Sequence, residues 1–324
     1  MTAAPRIVSV IVATRDRPAL LSEALTSIRA LEGDDLRFEI LVGDNGTTPE
    51  TEAVAAKFGA IYAKTDKDGC AAARNIALER ATGEFIALLD DDDVWLEGHV
   101  RPHIALLDAR PDLEAVFGQI ITTDPERRPI SDPWPESLPD DGDVFMTMLA
   151  GYYPQVGATL TRARVLERHG LMDETLIGDS DWDWQMRIAK THKIGFVPTT
   201  CVLFRQRAPG TFDDLQLRRL KYSQKVFFRH ALPEPRLWRS PITFARAYFG
   251  AVTNLFYYFV DAAALRAETG DRKGALSAIR HAFTIFPTRA VRMLLRPSPL
   301  RTALVAALTG RPVGRAPLQP KATS

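Results

Sequence analysis

The first 120 residues alternate between two hydrophobic periods. Residues 6–14, RIVSVIVAT, are an apolar, β-branched run; in 18–31, PALLSEALTSIRAL, Leu21, Leu25 and Ile28 fall at helical spacing behind a proline suited to a first helical turn. The same succession of strand then helix recurs at 38–44 and 49–58, at 60–64 and 70–81, and at 84–90 followed by a helix from about Glu97. Four such units predict a parallel sheet covered by helices on both faces. A fifth strand is expected at 113–123, a short helix at 143–151, a strand feeding a helix over 156–170, and a helix followed by a strand over 180–198. Between them, 124–142 carries Pro125, Pro129, Pro133, Pro135 and Pro139 and reads as a long loop. From Leu215 onward the pattern is helical and broken by prolines. There Leu276, Ile279, Phe283 and Phe286 make one apolar stripe, and Arg289, Arg292 and Arg296 a basic one.

Composition fits this organisation: 324 residues, 46% hydrophobic and 25% charged, suffice for one large domain plus an appendage. We place the domain at 1–210 and a basic helical extension at 211–324. The net charge of +1 conceals a polarity, since 1–210 holds 22 Lys and Arg against 34 Asp and Glu, whereas 211–324 holds 19 against 6. Such asymmetry points to an anionic partner for the basic end. Nucleic acid is disfavoured, because no recognition module or aromatic interleaving accompanies the charges. Solvated helix faces and an anionic membrane leaflet remain as the two readings. The longest apolar run, 247–260, has 14 residues, short of the roughly 20 that cross a bilayer. With two cysteines, Cys70 and Cys201, and no leader-like start, the expectation is a cytoplasmic protein with reduced thiols, its basic end a candidate for peripheral contact with the inner face of the membrane.

The chemistry concentrates in FIALLDDDDVW, residues 85–95, where an apolar strand runs into Asp90, Asp91, Asp92 and Asp93. Adjacent carboxylates repel unless a cation or hydrogen-bond donors compensate them. A solvated acidic turn is the plain alternative, but the run ends a strand where parallel sheets bind ligands, together with Arg15 and Asp44 at other strand ends. Oxygen-only ligands favour Mn²⁺ or Mg²⁺. Because Mg²⁺ takes only one or two carboxylates plus substrate phosphates, a phosphate-bearing substrate is implied. No Walker loop and no G-x-G-x-x-G follows the first strand, so those modes of phosphate binding are excluded. His99 and His103, four apart, could ligate a metal, but Pro102 lies between them and soft ligands are unnecessary, so they are read as ordinary surface histidines.

The stretches VSVIVATRDRPALLSEALTSI, EILVGDNGTT, GCAAARNIALERATGEFIALLDDDDVW and DSDWDWQMRIA, in this order and spacing, resemble the family two glycosyltransferases of the GT-A fold over about residues 6–207. That resemblance implies an α/β fold and an inverting enzyme that moves a sugar from a nucleotide-diphosphate donor to an acceptor hydroxyl on a saccharide or lipid-linked acceptor, in surface polysaccharide or glycoconjugate assembly. It further implies nucleotide-sugar binding by Thr14, Arg15, Asp44, Arg74, Asp90 and Asp91. Asp92, with Asp90, would hold Mn²⁺ or Mg²⁺, and Asp181 would be the general base. Trp182 and Trp184 would line the acceptor, or else be buried on a helix face. Ser180 stands where the family has Glu, which leaves Asp179 and Asp183 as alternatives to Asp181. Arg205 and Arg207 fall near the donor phosphates or on a solvated loop. Two rivals are a non-catalytic nucleotide-sugar-binding or scaffold relative, opposed by intact acids at both key positions, and a sugar nucleotidyltransferase, opposed by the lack of a glycine-rich first loop.

Overall fold

The structure is a computed structural model that describes residues 4–140, 142–206 and 213–310. The chain divides into two compact units, Met1–Met146 with Tyr153–Gln206, and Thr147–Tyr152 with Arg207–Ser324.

The first unit begins with β1 (Arg6–Thr14), α1 (Pro18–Arg29), β2 (Leu36–Asp44), α2 (Glu50–Lys57), β3 (Ile61–Lys64), α3 (Cys70–Leu78) and β4 (Phe85–Asp90). These are the strand–helix units that the periodicity predicts. It continues with β5 (Val94–Trp95), α4 (Val100–Ala109), β6 (Leu113–Thr123), the start of α5 (Phe145–Leu149), β7 (Thr159–Arg162), α6 (Arg164–His169), α7 (Ser180–Thr191) and β8 (Lys193–Arg205). The eight strands form one sheet in the order β3-β2-β1-β4-β7-β6-β8-β5. The sheet is mostly parallel, as expected; β7 runs antiparallel to β4 and β6, and β5 antiparallel to β8. β1 and β4 are central and covered on both faces, which is why Val8, Val10, Ile11, Val12, Phe85 and Leu88 are all buried and neither strand alternates.

The helix α3 lies unusually close to the sheet. Ala71, Ala72, Ala73 and Ala77 form its buried face, and a Cβ on Gly43 of β2 would come 1.8 Å from the Ala73 carbonyl oxygen. Glycine at 43 therefore allows the approach that carries Arg74 inward. The loop at 124–142 returns along β6 through bridges from Ile120 to Trp134 and from Thr123 to Pro129.

The second unit contains α8 (Asp213–Ala231), α9 (Pro241–Ala251), α10 (Thr253–Glu268), α11 (Arg272–Ile285), α12 (Pro287–Leu295) and α13 (Pro299–Thr309). Its core joins Phe256, Phe259 and Ala263 of α10 to Ala278, Ile279 and Ala282 of α11 and Leu300 and Ala303 of α13. The stripe predicted on α11 is rotated in the fold. Ala275, Ala278, Ile279, Ala282 and Ile285 face inward, whereas Leu276 is exposed. Close packing on the small side chains of α10 selects alanines, so the larger residues mark only the edge of the buried face. Among the described residues no helix is long and apolar enough to cross a membrane.

Candidate active site

Strand register assembles the site. In the parallel ladder Thr14 pairs with Asp44, and Ala13 pairs with Asp90. Adjacent strands lie about 4.8 Å apart, so the ends of β2, β1 and β4 deliver their polar residues to one edge. The loops after β1 and β2 are then tied together by Asp16, which adopts φ 54° and accepts from the backbone N–H groups of Thr47 at 2.6 Å and Thr48 at 2.8 Å. These bonds, with one from the Thr48 hydroxyl, hold the Asp16 carboxyl down at about 2.

The four aspartates find their compensation largely within the chain. Arg17 pairs with Asp91 at 2.6 Å and reaches Asp92 at 3.4 Å, and Arg74 donates to Asp90 at 2.6 Å. Asp93 accepts from Gln155 Nε2 and from the Arg205 backbone N–H, both at 2.9 Å. The run thus divides by role. Asp91, Asp92 and Asp93 are all buried, Asp91 and Asp93 bracing the turn, whereas the Asp90 side chain keeps 29% exposure. Burial pushes the Asp91 carboxyl up to about 7, against the pull of Arg17 and of the Thr14 hydroxyl that donates to it at 2.6 Å, while Asp92 and Asp90 push the same way as burial. Arg17 was not singled out in the sequence. Its signal was position, since it lies just past the end of β1, beside the strand carrying the acids.

Arg74 joins this cluster to a second one. It is only 4% exposed, and its Nη1 lies 3.6 Å from Asp181 Oδ2 while Nη2 bonds Asp90. Residues distant in sequence, 74, 90 and 181, therefore share one guanidinium. Asp181 sits in the first turn of α7, behind Asp179 at φ 60°, in the left-handed region. The Tyr153 hydroxyl donates to Asp181 Oδ1 at 2.7 Å and lies 3.1 Å from Asp179 Oδ1. Tyr153 is a further residue the sequence did not reveal. Of the alternatives to Asp181, Asp183 is fully buried and pairs with Arg187 at 3.2 Å one turn along the helix, so it faces the interior.

Several predicted residues have other placements. Thr14 is buried and engaged with Asp91. Arg15 is exposed and pairs with Asp68 at 3.3 Å. Asp44 is buried, accepting from Gly46 N–H and from the Tyr62 hydroxyl, both at 2.7 Å. Trp182 and Trp184 lie in the core rather than on an open wall. Trp182 packs against Tyr153 with ring centroids 5.6 Å apart, and Trp184 Nε1 donates to the Gly170 carbonyl at 3.0 Å. The reason is that α7 is enclosed on most sides, burying even Gln185. Arg205 is drawn to Glu23 at 2.6 Å; Arg207 lies outside the described residues. His99 and His103, expected at the surface, are both completely buried, because the first turns of α4 are tucked beneath β8.

The sheet order, the acidic turn and the guanidinium bridge to α7 are accompanied by a match to the sequence model of glycosyl transferase family 2 over residues 9–170, half of the chain. The chain belongs to that family. Among the relatives of this glycosyltransferase is the uncharacterized glycosyltransferase YwdF of Bacillus subtilis, 26% identical over 235 residues that cover 70% of this chain and 85% of that one. A GalNAc(5)-diNAcBac-PP-undecaprenol β-1,3-glucosyltransferase of Campylobacter jejuni is 35% identical over 97 residues, 28% of this chain and 31% of that one. Among solved structures, the mannosyltransferase PcManGT of Pyrobaculum calidifontis, in complex with GDP-Man and Mn²⁺, matches with a TM-score of 0.56 and 21% identity, covering 95% of this chain and 87% of that one. The fold is GT-A.

Proposed function

We propose that this glycosyltransferase is an inverting enzyme that transfers a sugar from a nucleotide-diphosphate donor to a saccharide or lipid-linked acceptor, with residues 1–210 as the transferase domain. The observation that carries the reading is the bridge from Asp90 through Arg74 to Asp181, which puts a cationic, nearly buried group between an acidic turn and a second carboxylate. The donor set suits a hard cation, being carboxylate oxygens two residues apart in the acidic turn. When bound by Asp92 and Asp90, Mn²⁺ or Mg²⁺ would supply positive charge against the diphosphate leaving group. Asp181 takes the proton from the acceptor hydroxyl, which is too weak a nucleophile without a base. Tyr153 fixes one oxygen of that carboxylate and so orients it. A single base serves a single displacement, and hence inversion. Thr14 and Arg17 hold Asp91 and keep the acidic turn in shape. Asp44, fixed by Tyr62 and Gly46, and Arg15 lie at neighbouring strand ends, where the nucleoside is expected.

A thermal-shift screen of nucleoside diphosphates and their sugars tests this. At least one should raise the melting temperature of the full chain in Mn²⁺ and fail to do so in chelator. If none does, the enzyme reading is wrong.

The lipid-linked acceptor draws support from the relative that acts on an undecaprenol diphosphate, and from the second unit. There Val291, Leu295, Val305 and Leu308 are exposed, Leu295 by 76%, beside exposed Arg292, Arg296 and Arg301. Apolar side chains among basic ones suit an anionic lipid surface, each basic residue adding about 1 kcal/mol near it. The full chain should sediment with phosphatidylglycerol vesicles at low salt and be released at high salt. Absence of binding at low salt removes the membrane from the proposal.

A further inference from the structure

A second cluster of ligand-type side chains lies away from the acidic turn. His99, at the start of α4, His103 one turn on, and Cys201 of β8 are all buried, and one ligand atom from each lies within 4.8 Å of the others. The orientation of His103 is fixed: its Nδ1 lies 2.8 Å from the His99 carbonyl oxygen and therefore carries the proton. That leaves Nε2 with a lone pair, and Nε2 faces Cys201 Sγ at 4.0 Å. A ligating histidine typically donates its other N–H in this way. The ring of His99 stands edge-on to His103 with centroids 4.7 Å apart, and neither of its nitrogens closes a hydrogen bond. The Gly157 backbone faces His99, but its carbonyl already accepts Trp95 Nε1 at 2.8 Å. A fully buried imidazole without partners is costly unless something else satisfies it. Gly118 completes the picture, because a Cβ there would come 2.2 Å from Cys201 Sγ and 3.0 Å from His103 Nε2. The strand has no side chain at the one position that would fill the gap between the two ligand atoms.

We propose that His99, His103 and Cys201 form a closed site for a soft d¹⁰ metal ion, Zn²⁺ or Cu⁺. Two imidazoles and a thiol with no carboxylate select against Mn²⁺ and Mg²⁺, the ions suited to the acidic turn. The 4.0 Å between Nε2 and Sγ is within the roughly 4.4 Å spanned by a Zn–N and a Zn–S bond placed end to end. The thiol proton leaves as the cation arrives, and one proton passes to solvent for each ion bound. The ion would fasten the chain just after the acidic turn to the last strand, where Leu96 N–H already bonds the Cys201 carbonyl at 2.8 Å. Its role would be structural and independent of donor chemistry.

Because the site is closed, loading requires refolding. Full-length protein is unfolded, refolded with Zn²⁺ or, anaerobically, with Cu⁺, desalted and analysed for metal. About one ion per chain is expected from one of the two arms, with a higher melting temperature than the metal-free protein. Asp92→Asn should retain the ion, which separates this site from the acidic turn, and Cys201→Ser should lose it. His99→Phe, which keeps an aromatic ring in place, should lose it too and serves if Cys201→Ser does not fold. Co²⁺-loaded wild type should show a thiolate-to-metal charge-transfer band that Cys201→Ser lacks. No retained metal in either arm, or equal retention by wild type and both ligand variants, would overturn the proposal.

Discussion

Asp181→Asn should abolish transfer while leaving donor affinity and melting temperature close to those of the wild type. The change is nearly isosteric and keeps an oxygen for the Tyr153 hydroxyl, so the first turn of α7 has no reason to move. What is lost is the acceptor for a proton. General bases contribute on the order of 10²–10⁴ to rate, about 3–5.5 kcal/mol of barrier, and kcat should fall by that factor. Nucleotide affinity, measured by calorimetry in Mn²⁺, should stay within about twofold, less than 0.5 kcal/mol. Full turnover by the variant would move the base elsewhere. Asp179 would then be the candidate, since it shares the Tyr153 hydroxyl, whereas Asp183 is turned into the core.

The outcome bears on how the site could be read before any fold was known. The acids were legible because β4 is uniformly apolar up to Asp90, whereas Arg74 and Asp181 were singled out only through the family resemblance. Parallel register then obliges the strand ends to meet. What could not be read were contacts made across register. Nothing in a run of four aspartates says that Arg17 will take Asp91, so the missing positive charge was sought outside the chain when two arginines inside it supply much of it. Antiparallel β7 was likewise hidden, because four residues carry too little pattern to give a direction.

Buried polar faces misled in the same way. Trp182 and Trp184 on a helix with acidic neighbours suggested a ligand wall as readily as burial, and His99 and His103 in a charged stretch suggested surface. Both inferences assumed that polar neighbours mean exposure. Here α7 and the start of α4 are covered by other parts of the chain, Trp184 meeting the Gly170 carbonyl ahead of α7 and Cys201 of β8 closing over His103. Coverage by an element distant in sequence leaves no trace in local periodicity.

Asp92→Asn is expected to separate metal-dependent donor binding from the rest of the site. Asp92 makes the longer contact with Arg17, 3.4 Å, against 2.6 Å for Asp91 with Arg17 and for Asp90 with Arg74. Replacing it should therefore leave the turn standing, because Asp91 still pairs with Arg17 and Asp93 still accepts from Gln155 and Arg205. An amide oxygen carries no net charge to hold a divalent ion beside a diphosphate. In Mn²⁺ the affinity for a nucleoside diphosphate should drop about a hundredfold, about 2.8 kcal/mol, toward the value the wild type shows in chelator. Transfer should fall with it, because the leaving group loses its counter-charge. Asp91→Asn makes the informative contrast. That carboxylate braces the turn from inside, so its loss should lower the melting temperature before it touches the Mn²⁺ dependence. If instead Asp92→Asn binds nucleotide in Mn²⁺ as the wild type does, the ion is not held there, and Arg17 and Arg74 would be the groups facing the phosphates.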